Sequence, residues 1–436
     1  MSWATFFFLA YLVTTTQSTV FRRQFECNSP NSFECMKSIG KQSKPLIHTF
    51  LKTTSISSLL QYTKTTAGIA KLLAYKQYHV SKVPELVHDL EGLAAGANVP
   101  FDDLLAVNLQ SELGFFVSGC SDVHVVNNST SLWLHNEDGG ANLQDLVFIV
   151  KAKIGESEEA FTAFAYPGQL PGWAWGVNGF GFVQSINALS SPPPNESPEL
   201  ELGLGVVFVA RKVLKSESVE HAMVVLNETI HGGGQHFNIG SIDSIHQYSV
   251  EIAANKPPSV LKLRKNYFHA NQYLHAGMYE HQPRIGDLES SIHRLSRFAM
   301  VSLNENESPE DKQLALKLMG DVFDADFPVF RSNTTADPEL THSTTVFDLL
   351  NGVVEGFSGG NMKLELTINL QEYKKKSKLS AVFYNTTKAT VAGGSGGGAS
   401  IFGVFLLLIL GCGLGYATYS KTKKQTEYTY INQSYS

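Results

Sequence analysis

Apolar residues recur at helical spacing in the first third of this chain, alternate with polar residues through its middle, and run unbroken near both ends. Ile69, Leu72 and Leu73 form the apolar face of one expected helix. Pro84 opens a second, with Leu86, Leu90 and Leu93 inward and Gly96 at its end. Pro100 and Asp102 begin a third that carries Leu104, Leu105 and Asn108. After Gly119 the period falls to two, and strands are expected over 122–126, 131–135, 146–153, 161–166, 179–186 and 247–252. A last alternation sets Met362, Leu364, Leu366 and Ile368 against Lys363, Glu365 and Thr367. Helices are expected over 218–226, 285–303 and 309–323. Strand runs with blocks of helices predict one layered α+β body, and no internal repeat is present.

The two ends follow other rules. Residues 1–18 read as a signal peptide, with an apolar run from Phe6 to Val13 and small residues Thr16 and Ser18 at the cleavage positions. Residues 399–419 carry no charge and are long enough to span ~30 Å of hydrocarbon. Lys421, Lys423 and Lys424 follow, which places the tail in the cytosol. A Gly/Ser-rich stalk over 389–398 precedes the span, and 420–436 forms the tail. The expected topology is a type I single-pass protein whose body is lumenal or extracellular. In the tail, Tyr428 to Ile431 fits a Tyr-x-x-apolar sorting signal, which would engage a clathrin adaptor and distribute the protein between cell surface and endosome or lysosome.

Composition narrows the function. Lys and Arg number 34 against 40 Asp and Glu, a net charge of −6 without a basic stripe, which excludes a nucleic-acid binder. Asn-x-Ser/Thr acceptors at Asn127, Asn128, Asn195, Asn227, Asn306, Asn333 and Asn385 fit a glycosylated body; Pro198 follows the acceptor at Asn195 and weakens it, as Pro309 does at Asn306. Four cysteines are too few for a disulfide scaffold. Cys27 and Cys35 are close enough in sequence for a small disulfide loop, and Cys412 lies in the apolar run. That leaves Cys120 as a candidate reactive thiol.

Other chemistries lack parts. His231 to Gly234 resembles a lipase oxyanion loop and Gly356 to Gly360 fits a G-x-S-x-G elbow. That fold needs a histidine after its serine, and none occurs beyond His342. There is no H-E-x-x-H, C-x-x-C or Walker A pattern, so no metal or cofactor is expected.

Gly119-Cys120-Ser121 stands where helix gives way to strand, and its surroundings carry a resemblance. The blocks are Glu91 to Ala97, Asn108 to Leu113, Gly119 to Ser121, and Asn136-Glu137-Asp138, which ends eighteen residues after the cysteine. Tyr166 to Gly172, Gly176 to Gly181, Ser185 to Asn187 and His269 to Tyr273 follow, then Ser290-Ser291 with Arg294 and Arg297. In order and spacing, over approximately Leu86 to Val346, they resemble the penicillin acyltransferase-like, peptidase C45 group of N-terminal nucleophile (Ntn) hydrolases. The family often has Arg at the position of Gln110, Trp at that of Glu137, and Thr and His at those of Ala270 and Gln272.

The resemblance implies a four-layer αββα sandwich. It also implies a helical pro segment over 19–119 and a core segment over 120–388, cut between Gly119 and Cys120. Cys120 would attack the preceding carbonyl, and its freed α-amino group (ordinary pKa ~7.7–8.0) would then serve as base for its own thiol. Glycine suits position 119 by tolerating a strained backbone. By resemblance Asn271 donates to the oxyanion, with Asn187 a second candidate, and Asp138 holds the amino group and orients the thiol. Asn136, Tyr166, Asn187, Arg294, Arg297 and Arg331 are candidate substrate-binding residues. The expected function is a self-processing amidohydrolase or acyltransferase working through a Cys120 thioester on a small N-acylated amine, amino acid or peptide. The alternative is a catalytically inactive Ntn fold used as a membrane receptor or adhesion module. Oligomeric state is not legible.

Overall fold

The computed structural model describes residues 20–115, 119–127, 129–155, 159–190, 202–281, 288–304 and 308–372. The chain divides into a unit over Met1–Lys378, which holds all of these, and one over Leu379–Ser436. The signal, stalk, apolar run and tail expected from the sequence, with Tyr428 and Ile431, lie outside the described residues, as do Asn128, Asn195, Asn306 and Asn385. Among the described residues no helix is long and apolar enough to cross a membrane. The three described glycan acceptors, Asn127, Asn227 and Asn333, are exposed.

Two sheets form the body. The larger has the order β1 (Gln24–Ser29), β4 (Phe148–Ile154), β5 (Glu159–Ala165), β6 (Trp175–Asn178), β7 (Phe182–Ala188), β8 (Gln235–Ser241), β9 (Ser244–Ile252) and β10 (Ser259–Lys262). Its neighbours are antiparallel except for β1 beside β4. The smaller has the order β11 (Tyr267–His269), β2 (Cys120–Val126), β3 (Ser131–Gly140), β12 (Glu339–Asp348), β13 (Val353–Ser358) and β14 (Lys363–Asn369), antiparallel throughout.

Alternation along β2 and β3 assigns each residue to a layer. Val123, Val125, Leu132 and Leu134 pack with Phe298 and Val301 of α8 (Glu289–Ser302) and with Ala315, Leu318 and Met319 of α9 (Lys312–Met319). The residues between them point at the other sheet. His124 meets Gln247 at 2.6 Å and Asn238 at 2.8 Å, and the Trp133 indole N–H donates to Ser185 at 3.0 Å. Trp133, Trp175 and Phe347 pack as an aromatic cluster in the same layer.

The far face of the larger sheet is covered by helices. They include α1 (Ser32–Phe50), α4 (Pro84–Ala97), α5 (Phe101–Asn108) and α6 (Val206–Leu214), which share one continuous core with β4 to β8. The layers therefore run helix, sheet, sheet, helix. Cys27 on β1 is bonded to Cys35 on α1, tying the edge strand to its covering helix.

Several expectations need correction. The helix α3 (Thr66–Lys82) buries Gly68, Leu72, Tyr75 and His79, whereas Ile69 and Leu73 are 55% and 51% exposed. Gly96 does not end its helix. It lies inside α4, where a β-carbon would stand 2.0 Å from the Lys37 carbonyl oxygen of α1, so glycine permits the close crossing. Asn98, at φ 56°, supplies the left-handed cap instead. The strand expected over 179–186 divides, because Gly179 to Gly181 belong to the turn between β6 and β7. In line with the rejected elbow, Gly356 to Gly360 occupy the end of β13 and the following turn.

Candidate active site

The β2–β3 hairpin builds the site. A short connection through Asn127 to Thr130 fixes the register so that Cys120 faces Glu137. The Asp138 backbone N–H donates to the Gly119 carbonyl oxygen at 3.1 Å, which makes Gly119 and Asp138 the hydrogen-bonded pair. Cys120 and Glu137 are then the neighbouring non-hydrogen-bonded pair, where side chains approach most closely. Cys120 Sγ lies 3.5 Å from Glu137 Oε2.

That carboxylate is held on both sides. Its Oε2 is 2.9 Å from His135 Nε2, and its Oε1 accepts from the Tyr166 hydroxyl. His135 Nδ1 in turn lies 3.1 Å from both oxygens of Asp122, which accepts from Ser185 Oγ at 2.7 Å. All of these side chains are buried. Burial alone would lower the His135 pKa, but Asp122, then Cys120 and Glu137, outweigh it and hold it well above the ordinary histidine range. Burial, and secondarily Glu137, pushes the Cys120 thiol far up, so it rests as a neutral thiol.

Asp138 points the other way, into the helix layer. Its Oδ1 accepts from Thr341 Oγ1 at 2.7 Å, while its Oδ2 has no hydrogen-bond partner and lies 3.8 Å from Arg294 and 3.9 Å from Arg331. Burial raises its pKa to about 7 against the pull of Arg331 and Arg294. The register thus differs from the expected contacts: the thiol is met by Glu137, and Asp138 reaches the Gly119 carbonyl through its backbone.

Asn271 has a different role from the one expected. Its Oδ1 accepts from the Cys120 backbone N–H at 3.0 Å and from Arg294 Nη2 at 2.8 Å, while its Nδ2 donates to the Ala188 carbonyl at 3.0 Å. Two donors facing one oxygen fix the amide orientation, so in the uncut chain Asn271 is an acceptor for the Cys120 nitrogen. The Ser291 hydroxyl accepts the Asn271 N–H at 2.9 Å and sets its position. Asn187 belongs to the inter-sheet layer, with its amide 3.4 Å from the His269 carbonyl and its oxygen 3.3 Å from His236.

The arginines expected to bind substrate have internal partners. Arg294 Nη1 donates to the Cys120 carbonyl at 2.6 Å and to Ser121 Oγ at 2.7 Å, and burial, then Arg331, lowers its pKa to about 10. Arg331 pairs with Asp337 and Glu339, and Glu339 also accepts the Gly119 N–H at 3.0 Å. Arg297 forms a two-pronged pair with Asp321, at 2.8 Å and 3.2 Å. Asn136 is equally committed, donating to the Met319 and Val329 carbonyls and accepting from Thr344. Of the substrate-binding candidates, Tyr166 reaches the thiol's surroundings through Glu137, and Asn187 lies in the same inter-sheet layer against His236 and the His269 carbonyl.

Glycine at 119 has a steric reason. Its φ is not in the left-handed region, and a β-carbon there would stand 2.0 Å from Arg331 Nη1. The expected backbone strain is therefore replaced by a crowding argument. Sequence reasoning missed Glu137, His135 and Asp122 as a group. The available signal was a two-residue spacing on each of two strands, Cys120 to Asp122 and His135 to Glu137. Sγ of Cys120, Nε2 of His135 and a Glu137 oxygen lie within 4.8 Å of one another, so these three could also hold a metal ion.

The arrangement is that of a buried thiol beside its own preceding carbonyl, with the amide nitrogen and oxygen both held. The family model described as "Acyl-coenzyme A:6-aminopenicillanic acid acyl-transferase" matches residues 125–362, more than half of the 436-residue chain. The chain belongs to that family. The match begins downstream of Cys120. A curated relative, the beta-alanyl-dopamine/carcinine hydrolase of Drosophila melanogaster, is 26% identical over 359 residues, covering 74% of this chain and 86% of the relative. Among solved structures, a Caenorhabditis elegans N-acylethanolamine-hydrolyzing acid amidase ortholog overlaps 53% of this chain and 93% of its own, at 13% identity and a TM-score of 0.36. The acyl-transferase family and the hydrolase relative both concern acyl groups carried on nitrogen.

Proposed function

We propose that this chain is a self-processing amide hydrolase whose nucleophile is Cys120, acting through an acyl-thioester on a small N-acylated amine, amino acid or peptide. The observation that carries the reading is the state of the Gly119–Cys120 bond. Its carbonyl accepts from Asp138 N–H, its nitrogen donates to Asn271, and the thiol of the same residue is free of any disulfide.

Attack by the thiol on the Gly119 carbonyl converts the peptide into a thioester, and water completes the cut. The Asp138 N–H already lies against the oxygen that gains charge, the placement required of an oxyanion donor. Arg294 keeps the Cys120 carbonyl and Asn271 in place while the preceding segment separates. In the cut form the new α-amino group stays within reach of Asn271 Oδ1. With an ordinary pKa of ~7.7–8.0 it can accept the thiol proton as the substrate carbonyl is attacked, then return it to the departing amine. Water hydrolyses the second thioester.

The relative is a beta-alanyl-dopamine/carcinine hydrolase, which supports β-alanyl amides as the first substrates to try. Hydrolysis is favoured over transfer because that relative is a hydrolase. The exposed acceptors Asn127, Asn227 and Asn333 support a lumenal or extracellular body. The test is release of free amine from a panel of β-alanyl, short-chain and long-chain amides by the wild type and Cys120→Ala. Turnover of at least one amide by the wild type alone is expected. No turnover of any, by a correctly folded chain, would favour the inactive receptor reading.

A further inference from the structure

Self-cleavage poses a problem that later turnovers do not. Until the Gly119–Cys120 bond is cut, the Cys120 nitrogen is an amide and cannot take up the thiol proton. The first cut needs another acceptor, and this inference rests on the self-processing reading above.

The groups around the thiol can be named from each packed element. On its own strand lies Asp122, and on β3 lie Glu137 and His135. From the larger sheet's side comes Tyr166, which donates to Glu137. Asp138, Arg294, Arg331 and Glu339 lie toward the helix layer and meet the scissile peptide rather than the sulfur. Glu137 Oε2, at 3.5 Å, is the carboxylate oxygen in hydrogen-bond contact with Sγ. His135 at 2.9 Å and the Tyr166 hydroxyl fix the carboxylate's orientation.

We propose that Glu137 is the general base for the self-cleaving step. Its carboxylate takes the thiol proton as sulfur bonds to the Gly119 carbon, and the carbonyl oxygen gains charge against the Asp138 N–H. The carbon–nitrogen bond to Cys120 then breaks, and the proton passes from Glu137 to the departing nitrogen, restoring the carboxylate. Water adds to the thioester carbon, the Cys120 sulfur leaves as a thiol, and Gly119 ends as a carboxylate with release of one proton. Once the amine is free it supplies a second acceptor, so Glu137 weighs more on cleavage than on turnover.

The experiment follows cleavage of the purified full chain by denaturing gel, from pH 5 to 9, for the wild type and Glu137→Gln. Loss of a general base commonly costs ~10²–10⁴-fold, so the variant is expected to cut at least about a hundredfold more slowly at pH 7. Its rate should climb roughly tenfold per pH unit as hydroxide replaces the missing base, a slope that a purely structural defect would not give. A wild type that cuts alongside an equally fast Glu137→Gln overturns this inference alone. A wild type that never cuts overturns the self-processing reading and this inference with it. If Glu137→Gln lacks a cooperative melt, Tyr166→Phe decides. Removing one of the two groups that orient the carboxylate should slow cleavage severalfold at pH 7, and an unchanged rate overturns the inference.

Discussion

A β-carbon on Gly119 would stand 2.0 Å from Nη1 of Arg331. The guanidinium cannot simply retreat, because Asp337 and Glu339 pair with it and burial confines it. Gly119→Ala must therefore shift either the scissile peptide or the ion pairs. A displacement near 1 Å at a reacting centre can cost ~10²-fold, so cleavage of Gly119→Ala is expected to slow by about that factor. A gel time course checks it, and wild-type kinetics would show that the crowding is relieved cheaply.

Arg294 and Arg297 sit one helical turn apart on α8 and should behave differently. Arg294 is fully buried, holds Cys120 and Asn271, and faces Asp138. Removing one partner of such a buried pair costs roughly 3–5 kcal/mol. Arg294→Met should melt far lower and remain uncut, while Arg294→Lys keeps the charge but loses the two-pronged contact. Arg297 pairs with Asp321 near the surface, and Arg297→Met should cost only about 1 kcal/mol and cut normally. Equal loss of cleavage in both methionine variants would contradict this division.

Asp138 predicts a pH signature. Burial raises its folded pKa to about 7, above the ordinary 3.8. Below the unfolded value the carboxyl is neutral in both states, and its contribution to stability is fully present. As pH rises through 7 the folded state must ionise a buried group, and that contribution is lost. Asp138→Asn stays neutral throughout. The wild type's melting temperature relative to this variant should therefore be higher at pH 5 than at pH 8. The opposite slope would mean that Arg294 and Arg331 outweigh burial.

The Cys27–Cys35 bridge closes a short loop, with eight residues of sequence separation. Chain-entropy arithmetic gives about 2.5 kcal/mol for a loop of that size. Replacing both cysteines by serine should lower the melting temperature without changing cleavage, since β1 lies at the edge of the larger sheet. Loss of cleavage in a folded double variant would show that the edge strand reaches the site.

The strands at 122–126 and 131–135 were legible because one face meets helices and the other meets a second sheet, which leaves a two-residue period. The helix α6 was not, since its Val- and Phe-rich sequence is buried nearly all round and has no polar stripe. Neither was α1, where Gly40 and Pro45 interrupt the expected pattern. In α3 the buried face is completed by Tyr75 and His79, and reading only aliphatic residues turned the helix the wrong way. Around the thiol, Cys120, Asp138 and Asn271 could be picked out by their blocks. What each contacts depends on strand register and on which face a side chain takes. That is why Glu137, at a position where the family often has Trp, stayed hidden, and why Arg294 and Arg331 read as substrate ligands.

The most direct test of the central claim is N-terminal sequencing of the purified full chain beside its Cys120→Ala variant. The account predicts a new N-terminus reading Cys-Ser-Asp-Val-His in the wild type and one intact chain in the variant. An intact wild type, or a variant cut at the same bond, would contradict the assignment of Cys120 as a self-processing nucleophile.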